Sequence, residues 1–236
     1  TDYCDHSHCV DKGMEVYGHE YAMHFPFHSW PAGRNKKLSP NHEQILGLGG
    51  QMGVYNGWER ANWFAKPGDD TSESSSQTWS RFGPWETRVK EECEAVRDSV
   101  GVLDLPGFSR FKLSGSGCSS WLESLIVGAL PKVGKMNLAY FADKRGRVLT
   151  EMSLMRYGLE DYILITAASA QWHDYEFLKG NLPADDKLSL TDISKSVSTL
   201  IVTGPQSRLL LKKLTSADLE KPWLSVQKAK IGNYAV

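Results

Sequence analysis

The sequence predicts an α+β fold, because strand-like and helix-like segments alternate without the strict βαβ rhythm of a parallel sheet. One tight hairpin is evident, since two strand-like runs flank a turn at 143–146 that ends in a glycine. No internal repeat accompanies these segments. A chain of 236 residues with 41% apolar residues can bury the core of one ordinary domain with an appendage.

Local patterns place the other elements. Helical spacing of apolar residues and proline in the first turn predict helices, and short apolar runs predict strands. In chain order, we expect a helix opened near Ser39 and Pro40, a helix over 84–100, a strand at 109–114, a helix at 118–126, the two hairpin strands, a strand at 161–167, a helix at 170–179, a strand at 198–203, a helix over 205–214 and a last hairpin around Gly232 and Asn233.

A stretch rich in serine and aspartate at 67–80 indicates a linker. We therefore divide the chain into a connector at 1–66, a linker at 67–83 and a main domain at 84–236. The chain begins at Thr1 rather than at methionine and ends at Val236 on an unfinished hairpin, so we expect it to be cut at both ends.

Composition excludes several classes of partner. A net charge of −1, from 27 basic and 28 acidic residues, gives no field that would attract nucleic acid. No apolar run approaches the roughly 20 residues that a bilayer requires. Four cysteines without regular spacing favour a reducing compartment. We therefore expect a small-molecule partner, and neither nucleic acid nor membrane.

Two short motifs resemble ligand sites without matching them. The segment CDHSHC at 4–9 holds two cysteines and two histidines, but the chain between them is too short for a closed zinc tetrahedron. The GSG segment at 115–117 lacks the third glycine and the lysine of a phosphate loop, and a turn that caps a helix explains it better. We predict no metal site.

The second hairpin strand carries one carboxylate in an otherwise apolar run. Strand alternation places one set of side chains on one face and the intervening set on the other. The first set is Leu149, Glu151, Ser153 and Met155, and the second is Val148, Thr150, Met152 and Leu154. Spacing alone favours a glutamate on the solvent-exposed face of an antiparallel sheet over a ligand-binding carboxylate. For Tyr140 and Tyr162, stacking on a flat ligand and packing in the core both stay open.

Several segments resemble one family. Four segments look like the tetrahydrofolate-binding domain shared by dimethylglycine dehydrogenase, sarcosine dehydrogenase and the glycine cleavage T protein. They are LPKVG (130–134), Tyr140-Phe141, RGRV (145–148) and TEMSL (150–154). The segment at 56–71 is similar to the connector that precedes this domain in the dehydrogenases, with Ala61 where proline is usual. Segments 100–117 and 200–219 also resemble parts of the domain, and dimethylglycine dehydrogenase fits best.

The resemblance implies a function. Residues 1–66 would be the end of an FAD oxidoreductase domain, and the main domain would capture the one-carbon unit from FAD-dependent oxidative N-demethylation onto tetrahydrofolate. Glu151 stands where the family usually has the catalytic aspartate, and it would project into a pterin cleft that is shielded from water. Ser153 stands where a threonine contacts the pterin, and Tyr140 and Tyr162 would flank the pterin. The sequence holds no GxGxxG turn, so FAD would lie in a missing N-terminal domain.

The resemblance leaves two alternatives. One is a non-catalytic subunit of the kind that regulates pyruvate dehydrogenase phosphatase, and the other is an aminomethyltransferase of the glycine cleavage system, against which the connector argues. The expected partners are folate, a methylated amine and the FAD domain of the same chain. The expected location is the mitochondrial matrix or the bacterial cytoplasm.

Overall fold

The computed structural model describes residues 5–25, 28–76, 80, 82–185 and 187–236, with the side chain of Ser76 left aside. The described residues form two compact units. The first contains Thr1–Gly107 with Lys195–Ser207, and the second contains Phe108–Ser194 with Arg208–Val236. Helices combine with antiparallel sheets, which confirms the predicted α+β class. No helix in the described part of the chain is long and apolar enough to cross a membrane.

The elements follow in chain order. They are α1 His6–Gly18, α2 His42–Gly47, β1 Gly50–Tyr55, β2 Trp58–Phe64, α3 Glu73–Ser76, α4 Glu86–Asp98, β3 Gly101–Asp104, β4 Phe108–Gly115, α5 Cys118–Glu123, β5 Ile126–Val127, β6 Lys135–Ala142, β7 Val148–Arg156, β8 Asp161–Ala167, a 3₁₀ turn Ala168–Ala170, α6 Gln171–Gly180, β9 Leu188–Asp192, β10 Leu200–Thr203, α7 Ser207–Leu214, β11 Lys230–Ile231 and β12 Tyr234–Ala235.

The first unit is organised around the β1–β2 hairpin. Asn56 and Gly57 form its turn with φ values of 50° and 82°, the left-handed conformation that two-residue hairpin turns require. Trp58 and Trp63 of β2 are buried, and the Lys37 ammonium lies 5.0 Å from the centre of the Trp58 ring. A second pair of strands, β3 and β10, is also antiparallel. Because Trp58 and Trp63 are buried, they form part of the packed interior of the first unit.

The predicted linker is partly structured. It contains α3, and Asp69 accepts two hydrogen bonds of 2.8 Å from the Arg88 guanidinium of α4. Those bonds are the main reason that the pKa of Asp69 falls to about 2. Helix α4 confirms the helix predicted over 84–100, yet Cys93 and Val96 of its apolar stripe are exposed.

The second unit is built on a six-stranded antiparallel sheet in the order β5-β6-β7-β8-β4-β9. One face carries the core, whose buried side chains are Phe111, Leu113, Ala139, Phe141, Met152, Leu154, Tyr162 and Leu164 of the strands with Cys118, Leu122 and Leu178 of α5 and α6. The predicted alternation along β7 is confirmed, because Met152 and Leu154 are fully buried while Glu151 is exposed.

Some elements were not predicted from the sequence. Helix α1, the β1–β2 hairpin and strand β9 are absent from the predicted set, and the helix expected over 118–126 ends at Glu123. The CDHSHC motif lies largely in α1, and the carboxylate of Asp5, the N-cap residue, accepts a hydrogen bond from the backbone N–H of His8. Cys4 lies outside the described residues. Gly117 is the N-cap of α5, so GSG forms a helix-capping turn as predicted.

Candidate functional site

The β6–β7 hairpin places three of the four predicted site residues side by side. In the register of the two strands, Tyr140 lies opposite Glu151 and Leu138 lies opposite Ser153. Directly opposed side chains in an antiparallel pair have their Cβ atoms about 4.5–5.5 Å apart. Tyr140, Glu151 and Ser153 therefore form one patch on the outer face of the sheet, the face away from the core.

The hairpin turn holds this register. Asp143 accepts hydrogen bonds from the backbone N–H groups of Arg145 and Arg147, at 2.8 and 3.0 Å, and another of 2.8 Å from the Arg147 guanidinium. The Arg147 backbone and side-chain bonds hold the pKa of Asp143 below its ordinary value. Gly146 has φ 77°, as the sequence predicts for a glycine in this turn. A register shift between Phe141 and Ala142 lies beside the turn.

The outer-face patch is open to solvent. Glu151 is exposed, and Tyr140 and Leu138 keep 44% and 50% of their surface accessible. The resemblance implied a carboxylate shielded from water, and that expectation is not met by the sheet itself. Any exclusion of water at Glu151 therefore has to come from a bound ligand or from groups outside the hairpin.

Tyr162 lies on the opposite face, away from the other three residues. It pairs with Arg156 across β7–β8, shares the core face with Leu154 and Leu164, and has no accessible surface. Its hydroxyl lies 2.8 Å from Ser119 Oγ, and burial raises its pKa. Strand alternation sends the rings of Tyr162 and Tyr140 to different sides of the sheet. The ligand-binding role of Tyr162 stays a prediction that its buried position does not support.

A polar network surrounds Tyr162 that the sequence did not reveal. The Arg156 guanidinium lies 5.3 Å from the Tyr162 ring centre and donates hydrogen bonds to Ser119 Oγ and to the Leu159 carbonyl. Ser119 N–H also donates to the Glu160 carboxylate at 2.8 Å. The network joins α5 to the loop between β7 and β8, and we interpret it as structural.

The first unit contains a cavity of about 250 Å³. Its walls include His28, Arg34, Asn62 and Glu73, and none of the four predicted site residues lines it. Sequence reasoning missed this cavity, because its residues come from separate segments and form no motif.

Comparison with known proteins shows which family the chain belongs to. Residues 41–236 match the family model described as the GCVT N-terminal domain. The chain belongs to this family. Residues 4–39 match a second model, the FAD dependent oxidoreductase central domain. The predicted division into 1–66, 67–83 and 84–236 is not decided by these matches and stays a prediction.

The relatives of this GCVT-family chain include the dehydrogenases that the motifs suggested. It is 32% identical to mitochondrial dimethylglycine dehydrogenase of Rattus norvegicus over 88% of this chain and 24% of the relative. It is 24% identical to mitochondrial sarcosine dehydrogenase of Homo sapiens over 91% of this chain and 28% of the relative. The predicted resemblance is confirmed, and the chain spans about a quarter of the length of these relatives.

A solved structure shows the same fold. The glycine cleavage system aminomethyltransferase T from Bartonella henselae aligns with a TM-score of 0.60 at 17% identity, over 80% of this chain and 46% of that one. This likeness supports the architecture of the GCVT-family chain.

Proposed function

We propose that this chain is the folate-binding portion of an FAD-dependent dimethylglycine or sarcosine dehydrogenase and that tetrahydrofolate binds at the outer face of the β6–β7 hairpin. One observation carries the proposal: Tyr140, Glu151 and Ser153 adjoin one another on an exposed sheet face in a chain of the GCVT family. The match of residues 4–39 to an FAD oxidoreductase domain supports the flavin-dependent part.

The patch fits a pterin chemically. An exposed tyrosine ring and the neighbouring Leu138 offer an apolar surface on which a flat heterocycle can pack. Glu151 accepts hydrogen bonds from ring N–H groups, and the Ser153 hydroxyl both donates and accepts. Tyr162 contributes no contact, since it is buried beneath the sheet.

The residues of the patch have distinct tasks. When bound, tetrahydrofolate supplies a nucleophilic amine that takes up a one-carbon unit. Glu151 accepts the proton released at that amine and stabilises positive charge beside it. Ser153 and Tyr140 hold the ring system in place, which lowers the entropic cost of the reaction. The family resemblance implies an aspartate at the position of Glu151, and relative to an aspartate the carboxylate of Glu151 reaches one methylene farther.

Two alternatives give different expectations. An aminomethyltransferase of the glycine cleavage type shares the fold, but the match of residues 4–39 to an FAD oxidoreductase domain favours the dehydrogenase. A regulatory subunit without catalysis would not need the Glu151 carboxylate. Since the relatives include mitochondrial proteins, the proposal places the enzyme in the mitochondrial matrix or the bacterial cytoplasm.

Calorimetric titration of the chain with tetrahydrofolate tests the proposal. We expect saturable binding that Glu151→Gln weakens by about tenfold or more, because hydrogen bonds to a charged group contribute about 1.5–3 kcal/mol. Glu176→Gln is the matched control, since Glu176 is exposed on α6. Absence of saturable heat, or equal loss of affinity in both variants, would contradict the assignment of Glu151.

A further inference from the structure

The cavity in the first unit has the character of a binding site. Its volume of about 250 Å³ is slightly below the roughly 300–1,000 Å³ typical of pockets for drug-sized ligands. Its walls are mainly polar, with hydroxyl, amide, imidazole, guanidinium and carboxylate groups. Cavities that stay empty are apolar, whereas polar ones hold water or a ligand. The size suits a molecule of about the dimensions of an amino acid.

Arg34 is held rigidly in the cavity wall. Its Nε and Nη2 donate to the two carboxylate oxygens of Glu59 at 2.8 and 2.9 Å, and Nη2 also donates to the Met52 carbonyl at 3.2 Å. The Glu59 side chain is 1% exposed and also accepts a hydrogen bond of 2.8 Å from the Asn35 N–H. The carboxylate of Glu59 is thus fully engaged.

Arg34 nevertheless keeps one nitrogen available. A guanidinium has five N–H donors, and the described residues provide no acceptor for those on Nη1. A fixed guanidinium with a free edge is well suited to bind a carboxylate. The Arg34 side chain is 28% exposed and its charge is balanced by Glu59, so the free Nη1 donors, rather than a net charge, are what it offers to a ligand.

His28 supplies a second unsatisfied group. Its Nε2 lies 3.2 Å from the Glu73 carboxylate, while its Nδ1 is buried and has no hydrogen-bond partner among the described residues. An imidazole can carry a proton on either ring nitrogen, so a ligand carboxylate within reach of Nδ1 would give this buried atom the partner that it lacks. The Glu73 side chain is 66% exposed, and solvent therefore screens its negative charge.

Asn62 completes the polar wall. Its amide lies over Gly53 of the neighbouring strand, where a Cβ atom would stand 2.3 Å from Asn62 Nδ2. A larger residue at Gly53 would displace the amide. The hairpin thus brings a neutral donor into the wall that contains Arg34 and His28.

We propose that this cavity binds a small carboxylate of amino-acid size, with the carboxylate bonded to Arg34 and His28 and contacted by Asn62. Arg34 contributes the free donors on Nη1, while the buried Glu59 balances its charge. The acid in the wall, Glu73, faces mostly water and contacts His28. The site is separate from the outer-face patch of the second unit, and its existence does not depend on folate binding there.

A titration with sodium acetate, followed by ¹H–¹⁵N NMR of the chain, tests this proposal. Trp63 lines the cavity and is 4% exposed, so its indole N–H signal reports on the interior. We expect a saturable shift with acetate that sodium chloride at equal ionic strength does not produce. Asn62→Asp should weaken acetate binding by about tenfold or more, because it places a negative charge in the wall.

The matched control is Asn56→Asp. Asn56 is exposed at the turn of the same hairpin, where aspartate before glycine is equally well accommodated, and acetate affinity should change less than about twofold. Gln51→Glu puts the same charge into the wall from β1 and replaces Asn62→Asp if that variant does not fold.

The proposal fails if acetate gives no saturable shift beyond chloride, if the wall variant and Asn56→Asp weaken binding equally, or if methylammonium saturates the site and acetate does not.

Discussion

Met152→Glu should unfold the second unit, whereas Glu151→Met should leave it folded. The two residues are neighbours on β7, but Met152 is fully buried in the core and Glu151 is exposed on the outer face. Burying a carboxylate without a partner costs several kcal/mol, a large part of the roughly 5–15 kcal/mol by which domains are stable. An apolar side chain on the exposed face should change stability by less than about 0.5 kcal/mol.

Hydrogen exchange of the amides in β7 and β8, together with urea unfolding, measures this difference. Protection should be lost throughout both strands in Met152→Glu and kept in Glu151→Met. Because Glu151→Met removes the carboxylate without unfolding the sheet, it should also weaken tetrahydrofolate binding as Glu151→Gln does. Equal stability of the two variants would contradict the register of β7 and with it the location of the outer-face patch.

The hairpin was predictable because its signals are local. The turn at 143–146 and the alternation along β7 depend on residues close in sequence, and both are confirmed. The β1–β2 hairpin had an equally local signal in Asn56-Gly57. That dipeptide also lies in the segment at 56–71 that resembles the family connector, and the connector resemblance predicts no strands on either side of it.

The place of Tyr162 was not predictable in the same way. On β8 one face carries Tyr162 and Leu164 and the other carries Ile163 and Ile165, so both faces are apolar and the sequence does not indicate which one is buried. Only the pairing of β8 with β7 and β4 decides it. The apolar stripe of α4 shows a similar limit, because periodicity defines a face without defining what covers it.

Glu151 illustrates what a family resemblance adds and what it leaves open. Spacing alone favoured a solvent-exposed glutamate, and the structure places it there. The resemblance added a role that needs shielding from water, and the sheet itself does not provide that shielding. Both statements hold if the pterin itself covers the carboxylate on binding, and the titration of Glu151→Gln against Glu176→Gln tests that interpretation directly.

Glu59→Gln should destabilise the first unit by about 3 kcal/mol. Breaking a buried ion pair by removing one partner costs about 3–5 kcal/mol, and the lower end applies because the Arg34 side chain is 28% exposed. Hydrogen exchange across β1 and β2, measured with increasing urea, reports the effect. Glu94→Gln is the control, since its partner Lys90 lies 3.9 Å away and both side chains are exposed; such pairs contribute roughly 0.3–0.5 kcal/mol.

The effect of Glu59→Gln should also depend on pH. Burial alone would raise the pKa of Glu59, but hydrogen bonds from Arg34 and the Asn35 N–H, with the charge of Arg34, bring it below its ordinary value of 4.5. A carboxyl whose pKa is lower in the folded state stabilises the protein above its unfolded pKa, and this contribution is lost as pH falls through the folded pKa. The stability gap between the wild type and Glu59→Gln should therefore be constant near neutral pH and shrink below about pH 4.5. A gap that stayed the same at acidic pH would show that Glu59 stabilises the hairpin through its shape and packing rather than through its charge.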